Sequence, residues 1–293
     1  MFRDLFPWAA GVSAIQQEMV RLARLGRFQA VDPNIDEAVA FLASGRPAEQ
    51  FRALFTAAGI RVGVWYLPCY TDFDDAAFSS SLATLRKTAP AAQTIGITRA
   101  GTVVRPWSDT RPYRENFDFA VSRLKPIAEI LAEHGIRLGL EYVGPLSARA
   151  GHPYEFIHTQ AETITLCDAI GTGTAGLTLD SFHWYTSGGT LDDLKALDDS
   201  RIVIVHVNDA PDLPMDQQAV TNRALPGETG VIDLVGFLRT LRDIGYTGPV
   251  APEPFSLRLR SLPAELAVCL LGGYFAHVWD EAFSDEASGP QTH

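Results

Sequence analysis

Short apolar runs rich in β-branched residues alternate along the chain with longer stretches of helical periodicity. Most of these runs are continuously apolar, which is typical of strands covered on both faces, as in a parallel sheet. The clearest predicted strands are residues 60–67, 93–97, 136–143, 176–179, 202–207 and 249–251.

Amphipathic helices are predicted between these strands. Apolar residues fall on one helix face at Phe117, Val121, Leu124 and Ala128, and again at Leu234, Phe237, Leu238 and Leu241. Gly135 and Gly245 follow the two patterns, where a left-handed residue is expected at a helix C-terminus. Pro126 predicts either a kink or a later start of the first helix, because proline lacks the backbone N–H.

The N-terminal part shows the same order with a weaker signal. Helices are predicted at residues 13–25 and 48–58, followed by Gly26 and Gly59, and a strand at residues 27–31. Before them, residues 4–8 remain for a first strand, which Pro7 interrupts.

Counting that weak segment, the chain has eight predicted strands, each followed by helical sequence. Eight such units in 293 residues favour an α/β fold with a single closed (β/α)8 TIM barrel. The main alternative is an open doubly wound sheet, but no strand is followed by a G-x-G-x-x-G fingerprint or a P-loop. We expect one barrel domain over residues 1–283 and a polar tail over residues 284–293.

Composition narrows the class of protein. With 46% hydrophobic and 10% aromatic residues, the chain can form a large core. A formal charge of −11 without a Lys/Arg cluster disfavours nucleic-acid binding. No apolar stretch approaches a membrane span, the N-terminus lacks the order of a signal peptide, and the three cysteines are far apart. We therefore expect a soluble cytoplasmic protein with reduced thiols.

Four apolar runs end in an ionisable residue: Glu141, Asp180, His206 and Glu253. The C-terminal ends of barrel strands form the active-site face, so these side chains are expected to converge there. Carboxylates gathered in a low-dielectric barrel mouth repel one another, and a divalent cation relieves the repulsion by using all four groups as ligands. Three oxygens and one nitrogen suit Mn²⁺, Mg²⁺ or Co²⁺, and Zn²⁺ is also compatible.

Each of these residues also has an ordinary structural interpretation. A glutamate after a strand is commonly a solvated loop residue, Asp180 before Ser181 is typical of a helix cap, and a strand histidine is commonly a core residue. Independent accidents of this kind should not fall at four consecutive strand ends, which favours the metal site.

Further candidates for substrate binding lie near the same strand ends. His183 follows Asp180 by three residues, and Arg223 precedes the polar loop 225–230. His183 is interpreted as a residue that orients the metal ligands or donates to a substrate oxygen, or as a surface residue at a helix start. Arg223 is interpreted as a binding group of its loop or as a solvated arginine. Aromatic side chains that could stack on a sugar ring, or simply belong to the core, are Trp65, Tyr66, Trp107 and Trp184.

The sequence resembles the sugar phosphate isomerase/epimerase family in five motifs: Leu-Gly-Leu-Glu-Tyr (138–142), Leu-Asp-Ser-Phe-His (179–183), His-Val-Asn-Asp (206–209), Leu-Pro-Gly-Glu-Thr-Gly (225–230) and Pro-Glu-Pro-Phe (252–255). This family is part of the xylose isomerase-like TIM barrel superfamily, with ketose 3-epimerases, hydroxypyruvate isomerase and inosose dehydratase. The resemblance implies that the four strand-end residues hold one divalent metal, with Mn²⁺ favoured. It further implies that Glu141 and Glu253 move the proton, and that His183 and Arg223 contact substrate oxygens.

The expected reaction is abstraction of a proton next to a carbonyl group of a ketose or related polyol, through an enediolate. Glu141 and Glu253 come from different strands and can serve the two faces of a planar intermediate, one as base and one as acid. Epimerisation, isomerisation and dehydration share this first step. The first alternative is therefore a metal-dependent lyase, which either dehydrates its substrate in the manner of inosose dehydratase or cleaves a keto-glycoside. An AP endonuclease-like phosphodiesterase and a non-catalytic sugar-binding barrel are weaker alternatives.

The expected partner is therefore a small sugar or polyol, with no nucleic acid and no membrane. No Lys/Arg pair near the strand ends is dedicated to phosphate, although Arg223, Arg258 and Arg260 are available, so an unphosphorylated substrate is favoured. A homo-oligomer is compatible with the sequence.

Overall fold

A curled parallel sheet forms the centre of the computed structural model, which describes residues 1–284. The strands are β1 (Phe2–Leu5), β2 (Ala30–Val31), β3 (Arg61–Val62), β4 (Trp65–Tyr66), β5 (Arg99–Val103), β6 (Trp107–Ser108), β7 (Arg137–Glu141), β8 (Tyr154–Glu155), β9 (Ala175–Asp180), β10 (Ile202–Val207) and β11 (Pro249–Pro252). The main sheet has the order β3-β2-β1-β11-β10-β9-β7-β5-β4 and is parallel throughout. β6 and β8 form a separate antiparallel pair.

Helices follow the strands of the main sheet. The α-helices are α1 (Gln16–Leu25), α2 (Ile35–Ala43), α3 (Ala48–Thr56), α4 (Asp75–Ile95), α5 (Tyr113–Glu133), α6 (Gln160–Ile170), α7 (Ser181–Thr186), α8 (Leu191–Lys195), α9 (Leu234–Asp243), α10 (Leu257–Arg260) and α11 (Ala264–Phe283). Short 3₁₀ turns occupy Tyr70–Asp72, Leu146–Ala148, Asp199–Arg201 and Met215–Gln217. Among the described residues, no helix combines the length and apolar character needed to cross a membrane.

The sheet closes into a barrel through the third predicted strand. β3 and β4 stand at opposite ends of the strand order, although only two residues separate them along the chain. The start of this segment pairs with β2 and its end pairs with β5, which closes the sheet. The strand predicted over residues 60–67 is therefore interrupted at Gly63. A Cβ atom there would come within 2.6 Å of carboxylate oxygens of Asp4 and Asp32, so this position requires glycine. The predicted (β/α)8 barrel is confirmed.

The strand predicted over residues 93–97 is wrong. α4 continues to Ile95 and ends at Gly96, whose φ of 100° lies in the left-handed region that terminates helices. The barrel strand at this position is β5, which begins at Arg99. The sequence pattern was ambiguous because Ile95 and Ile97 are buried, and a short run of buried apolar residues is compatible with either element.

Smaller differences concern element boundaries. β1 ends at Leu5, before Pro7, and β2 covers only the last two residues of the strand predicted over 27–31. α5 begins at Tyr113 and continues through Pro126, so the later helix start is wrong. Burial of its inner face stabilises the helix on both sides of the proline.

The strand that carries the candidate histidine, β10, is covered along its whole length. All six residues of β10 are buried, as expected for a barrel strand covered on both faces. Of the polar tail predicted over residues 284–293, residues 285–293 lie outside the described part of the chain.

Candidate metal centre

The four ionisable residues predicted at strand ends meet at the C-terminal mouth of the barrel. Glu141 ends β7, Asp180 ends β9, His206 lies in β10 and Glu253 directly follows β11. One potential ligand atom from each lies within 4.8 Å of the others, and all four residues are buried. Oxygen ligands on opposite sides of a divalent cation are about 4–5 Å apart, so this spacing fits a single ion.

His206 contacts all three carboxylates. Its Nδ1 atom lies 3.1 Å from Glu141 Oε1, 3.4 Å from Glu253 Oε2 and 3.8 Å from Asp180 Oδ2. On the opposite side of the ring, Nε2 lies 2.5 Å from the phenol oxygen of Tyr66. Burial alone would lower the pKa of His206, but the charges of Glu253 and Glu141 outweigh it and hold this pKa well above its ordinary value.

Asp180 acts both as a helix cap and as a member of the cluster. Its Oδ1 accepts hydrogen bonds from the backbone N–H groups of Phe182 and His183, at 2.7 and 3.1 Å. Its Oδ2 accepts from the side chains of Arg223 and Asn208, each at 2.9 Å. Burial would raise the pKa of Asp180, but the charge of the Arg223 guanidinium holds it below its ordinary value. The two sequence interpretations of this residue are therefore compatible.

Arg223 brings a positive charge into the cluster. Its Nη1 lies 2.9 Å from both Asp180 Oδ2 and Glu253 Oε2. Its Nη2 lies 3.1 Å from His183 Nε2, and the ring of Phe255 covers the guanidinium at 4.5 Å. Both residues predicted to contact substrate oxygens thus lie beside the candidate metal ligands.

Two further groups have pKa values shifted by their burial. Burial, and then the charge of Glu253, raise the pKa of Glu141 to about 7. Burial lowers the pKa of His183 to about 3, so this imidazole is neutral at physiological pH. A carboxyl group with a pKa near neutrality is suited to proton transfer under these conditions.

Asn208 is a residue of the site that the sequence interpretation missed. Its side-chain amide donates to Asp180 Oδ2 at 2.9 Å, and its Oδ1 accepts from the backbone N–H of Glu253 at 2.8 Å. It therefore links two candidate ligands and orients both. The signal was its position two residues after His206, because residues two apart in an extended chain lie on the same face.

We expect Asn208→Ala to lower the affinity for Mn²⁺ by about 10- to 100-fold, because groups that orient metal ligands commonly contribute that much. Calorimetric titration of the protein with Mn²⁺ measures this change, and the melting temperature verifies folding. An unchanged affinity would show that Asn208 does not orient the ligands.

Asp209 holds the segment that carries Arg223. Its backbone forms two hydrogen bonds with Ala224, at 3.1 and 2.9 Å. Its buried carboxylate accepts from the backbone N–H groups of Gly230 and Ile232, at 2.7 and 3.0 Å. The polar loop 225–230 is therefore anchored to the strand end, and Arg223 is positioned from both sides.

A cavity of about 440 Å³ lies beside the cluster. Its polar lining comes from Glu141, Glu253, His183 and Arg223, and its aromatic lining from Phe6, Trp8, Tyr66 and Phe255. Small-molecule sites commonly have about 300–1,000 Å³ and combine apolar walls with a few polar groups. The size and lining suit a small polar molecule with an apolar face.

The structure places one of the four aromatic candidates in this cavity. Tyr66 lines it, whereas Trp65 points to the other side of the short strand β4 and lines two neighbouring cavities. Trp107 stacks on His152 with ring centroids 3.5 Å apart. Trp184 is buried and donates its indole N–H to a backbone carbonyl after α7. Trp65, Trp107 and Trp184 are thus not brought to the cluster.

A family model described as xylose isomerase-like TIM barrel matches residues 19–268. The chain belongs to this family. This xylose isomerase-like barrel is similar in structure to a xylose isomerase domain protein from Alicyclobacillus acidocaldarius, at 30% identity and a TM-score of 0.81, covering 96% of this chain and 99% of the other. It also shares its fold with an IolI protein crystallised with a zinc atom, at 21% identity and a TM-score of 0.79, covering 97% of this chain and 100% of the other.

Curated relatives match parts of the barrel. An inosose isomerase from Halalkalibacterium halodurans is 32% identical over 148 residues, which is half of each chain. A 3-dehydroshikimate dehydratase from Pseudomonas aeruginosa is 32% identical over 142 residues, 48% of this chain and 21% of that protein. An L-ribulose 3-epimerase from Methylomonas is 25% identical over 177 residues, 60% of this chain and 53% of that protein. The matches span about half the length of the inosose isomerases, and the relatives are named as isomerases, an epimerase and a dehydratase.

Proposed function

We propose that this xylose isomerase-like barrel is a divalent-metal-dependent isomerase or epimerase of a ketose or related polyol. Its reaction begins with removal of a proton from a carbon next to a carbonyl group. The observation that carries the proposal is the convergence of Glu141 and Glu253 on one imidazole nitrogen of His206, at 3.1 and 3.4 Å, in the wall of the cavity. The names of the isomerase and epimerase relatives support the same class of reaction.

Glu141, Asp180, His206 and Glu253 are the residues that would hold the metal. Their three oxygens and one nitrogen favour Mn²⁺ over thiophilic ions, with Mg²⁺ and Co²⁺ as alternatives. The zinc atom in the IolI structure adds Zn²⁺ to the ions that an assay should include. When bound, such an ion supplies a Lewis acid that polarises the substrate carbonyl.

The two glutamates are arranged to act on opposite faces of a substrate. β7 and β11 are separated in the sheet by β9 and β10, so Glu141 and Glu253 approach the cavity from different sides. One carboxylate takes the proton, and the other carboxyl group returns a proton to the same or the neighbouring carbon. Return to the opposite face of the same carbon gives an epimer, and return to the neighbouring carbon gives an isomer.

His183 and Arg223 together form a position for a substrate oxygen. His183 Nδ1 accepts from the backbone N–H of Gly144 at 3.3 Å, which leaves Nε2–H as the donor of the neutral ring. Arg223 Nη2, 3.1 Å away, is also a donor. Two donors that face each other lack an acceptor, and a hydroxyl or carbonyl oxygen between them would satisfy both.

Dehydration is the second candidate function. The identity of 32% to a 3-dehydroshikimate dehydratase over 142 residues favours it. The same proton abstraction followed by loss of a β-hydroxyl group gives this outcome, and no further residue is needed for the first step.

Proton–deuterium exchange tests the proposal at the step that all outcomes share. The protein is incubated in D₂O with a panel of ketoses, keto-inositols and 3-dehydroshikimate, with Mn²⁺, Mg²⁺, Co²⁺ or Zn²⁺ and with a chelator, and followed by NMR. We expect metal-dependent deuterium incorporation next to the carbonyl group of at least one compound, and the product identifies epimerisation, isomerisation or dehydration. Absence of exchange across the panel with every metal would overturn the proposed function.

A further inference from the structure

Two buried carboxyl groups meet inside the barrel on its N-terminal strands, apart from the candidate metal ligands. Asp4 lies in β1 and Asp32 directly follows β2, and these neighbouring strands are parallel. A Cβ atom on Gly63 would touch oxygens of both carboxyl groups at 2.6 Å, so both groups face the same point in the bend between β3 and β4. Asp4 is fully buried, and Asp32 is 7% exposed.

These carboxyl groups have few partners of their own. Asp32 Oδ1 accepts a hydrogen bond from the backbone N–H of Val64 at 2.6 Å. Apart from their contact with each other, Asp32 Oδ2 and both carboxylate oxygens of Asp4 are buried without a hydrogen-bond partner among the described residues. Burial raises the pKa of Asp4 to about 7, and burial and the charge of Asp4 raise the pKa of Asp32 well above its ordinary value. Burying two carboxyl groups with so few hydrogen-bond donors costs free energy of folding, which indicates that they have a functional role.

Asp32 lines a cavity that adjoins the one beside the metal cluster. This second cavity has a volume of about 320 Å³. Phe6, Trp8 and Tyr66 line both cavities, and the rings of Phe6 and Tyr66 stack at 4.3 Å. The two spaces are therefore neighbours along one aromatic wall, with the proton-transfer glutamates at one end and Asp32 at the other.

We infer that Asp32, with Asp4 behind it, is a subsite that binds a hydroxyl group of the substrate at the end distant from Glu141 and Glu253. The inference rests on the proposed function. Asp32 lines the second cavity, so its carboxyl group can accept a hydrogen bond from a hydroxyl group bound there, and the aromatic wall leads from the reacting carbon to this acceptor. The substrate class is a polyol, open-chain or cyclic, with free hydroxyl groups beyond the reacting carbons.

Asp4 positions Asp32 and does not contact the substrate. It lies against Asp32 at Gly63 and does not line the second cavity. Two adjacent carboxyl groups in a buried place avoid carrying two negative charges by retaining a proton. The pair can then offer Asp32 to a neutral hydroxyl group without a counter-cation.

The test compares a long with a short substrate in the deuterium-exchange assay. The long substrate is the six-carbon ketose or keto-inositol that the wild-type protein exchanges fastest, and the short one is dihydroxyacetone, which has a reacting carbon but no distant hydroxyl groups. We expect Asp32→Leu to lower kcat/KM for the long substrate by about 10- to 100-fold, mainly through KM, because a hydrogen bond to a charged or shared-proton acceptor is lost. Exchange of dihydroxyacetone should change by less than about twofold.

Matched variants keep the test interpretable. Asp32→Asn preserves shape and one acceptor, and should cause a smaller loss that is again confined to the long substrate. Asp118→Asn removes a carboxylate from the exposed surface of α5 and should change neither substrate. Melting temperatures verify that each variant folds.

Two results would overturn the inference while leaving the proposed function intact: equal loss for both substrates in both Asp32 variants, or no loss for either. A wild-type protein that exchanges neither substrate with any metal would instead overturn the proposed function, and the subsite with it.

Discussion

Replacing either Glu141 or Glu253 by glutamine is expected to lower turnover by about 10²- to 10⁴-fold, the usual contribution of a positioned acid or base. Glutamine has the size of glutamate and retains one oxygen that can bind a cation, but its amide cannot take a proton. The two carboxyl groups serve different faces of the substrate, so neither can replace the other. Steady-state kinetics at saturating Mn²⁺, with the bound metal measured in the same samples, separates loss of proton transfer from loss of metal.

Glu129→Gln is the matched control, because Glu129 is exposed on α5. It makes the same chemical change and should leave turnover within about twofold of wild type. If Glu141→Gln or Glu253→Gln kept normal turnover with metal bound, the paired acid–base mechanism would be wrong.

Replacing Arg223 by methionine is expected to lower the free energy of unfolding by about 3–5 kcal/mol in the presence of a chelator. The side chain is 1% exposed and lies 2.9 Å from two buried carboxylates, which lose their nearest positive charge in the variant. Methionine keeps most of the apolar stem. Binding of a divalent cation to the folded state should restore about 3 kcal/mol at a hundredfold excess over Kd. Denaturant unfolding with chelator and with Mn²⁺ measures both changes.

Arg201→Met is the control for that experiment. Arg201 pairs with Asp168 at the surface, with 43% and 58% of the two side chains exposed. Exposed ion pairs contribute about 0–1 kcal/mol, and this one should respond to neither chelator nor metal. A loss in Arg223→Met that Mn²⁺ leaves unchanged would contradict the view that the guanidinium and the metal neutralise the same carboxylates.

The convergence of the strand-end residues was the most predictable part of the molecule. Apolar runs leading into Glu141, Asp180 and His206 indicate where buried strands end, and parallel barrel strands end on one face. Asp180 is both a helix cap and a member of the cluster, because its Oδ1 accepts from the start of α7 and its Oδ2 accepts from Arg223. Asn208 could have been predicted from the same strand pattern, because it lies two residues after His206 and therefore on the same face.

Features that depend on distant parts of the chain could not be predicted in this way. At the bend, carboxylate oxygens of Asp4 and Asp32 occupy the space that a side chain at Gly63 would need, and no local sequence pattern indicates that approach. The end of α4 at Ile95 and the later start of β5 reflect tertiary packing that overrides a β-branched run. Of the adjacent aromatic residues Trp65 and Tyr66, only Tyr66 lines the cavity beside the cluster, because of the register of the two-residue strand β4, which sequence periodicity does not specify.

Anomalous diffraction from crystals soaked in Mn²⁺ tests whether the four side chains hold a single ion. We expect one strong peak in contact with Glu141, Asp180, His206 Nδ1 and Glu253, and its loss in an Asp180→Asn/His206→Asn double variant that retains the fold. A fully occupied manganese elsewhere in the molecule with none among these four side chains would contradict it.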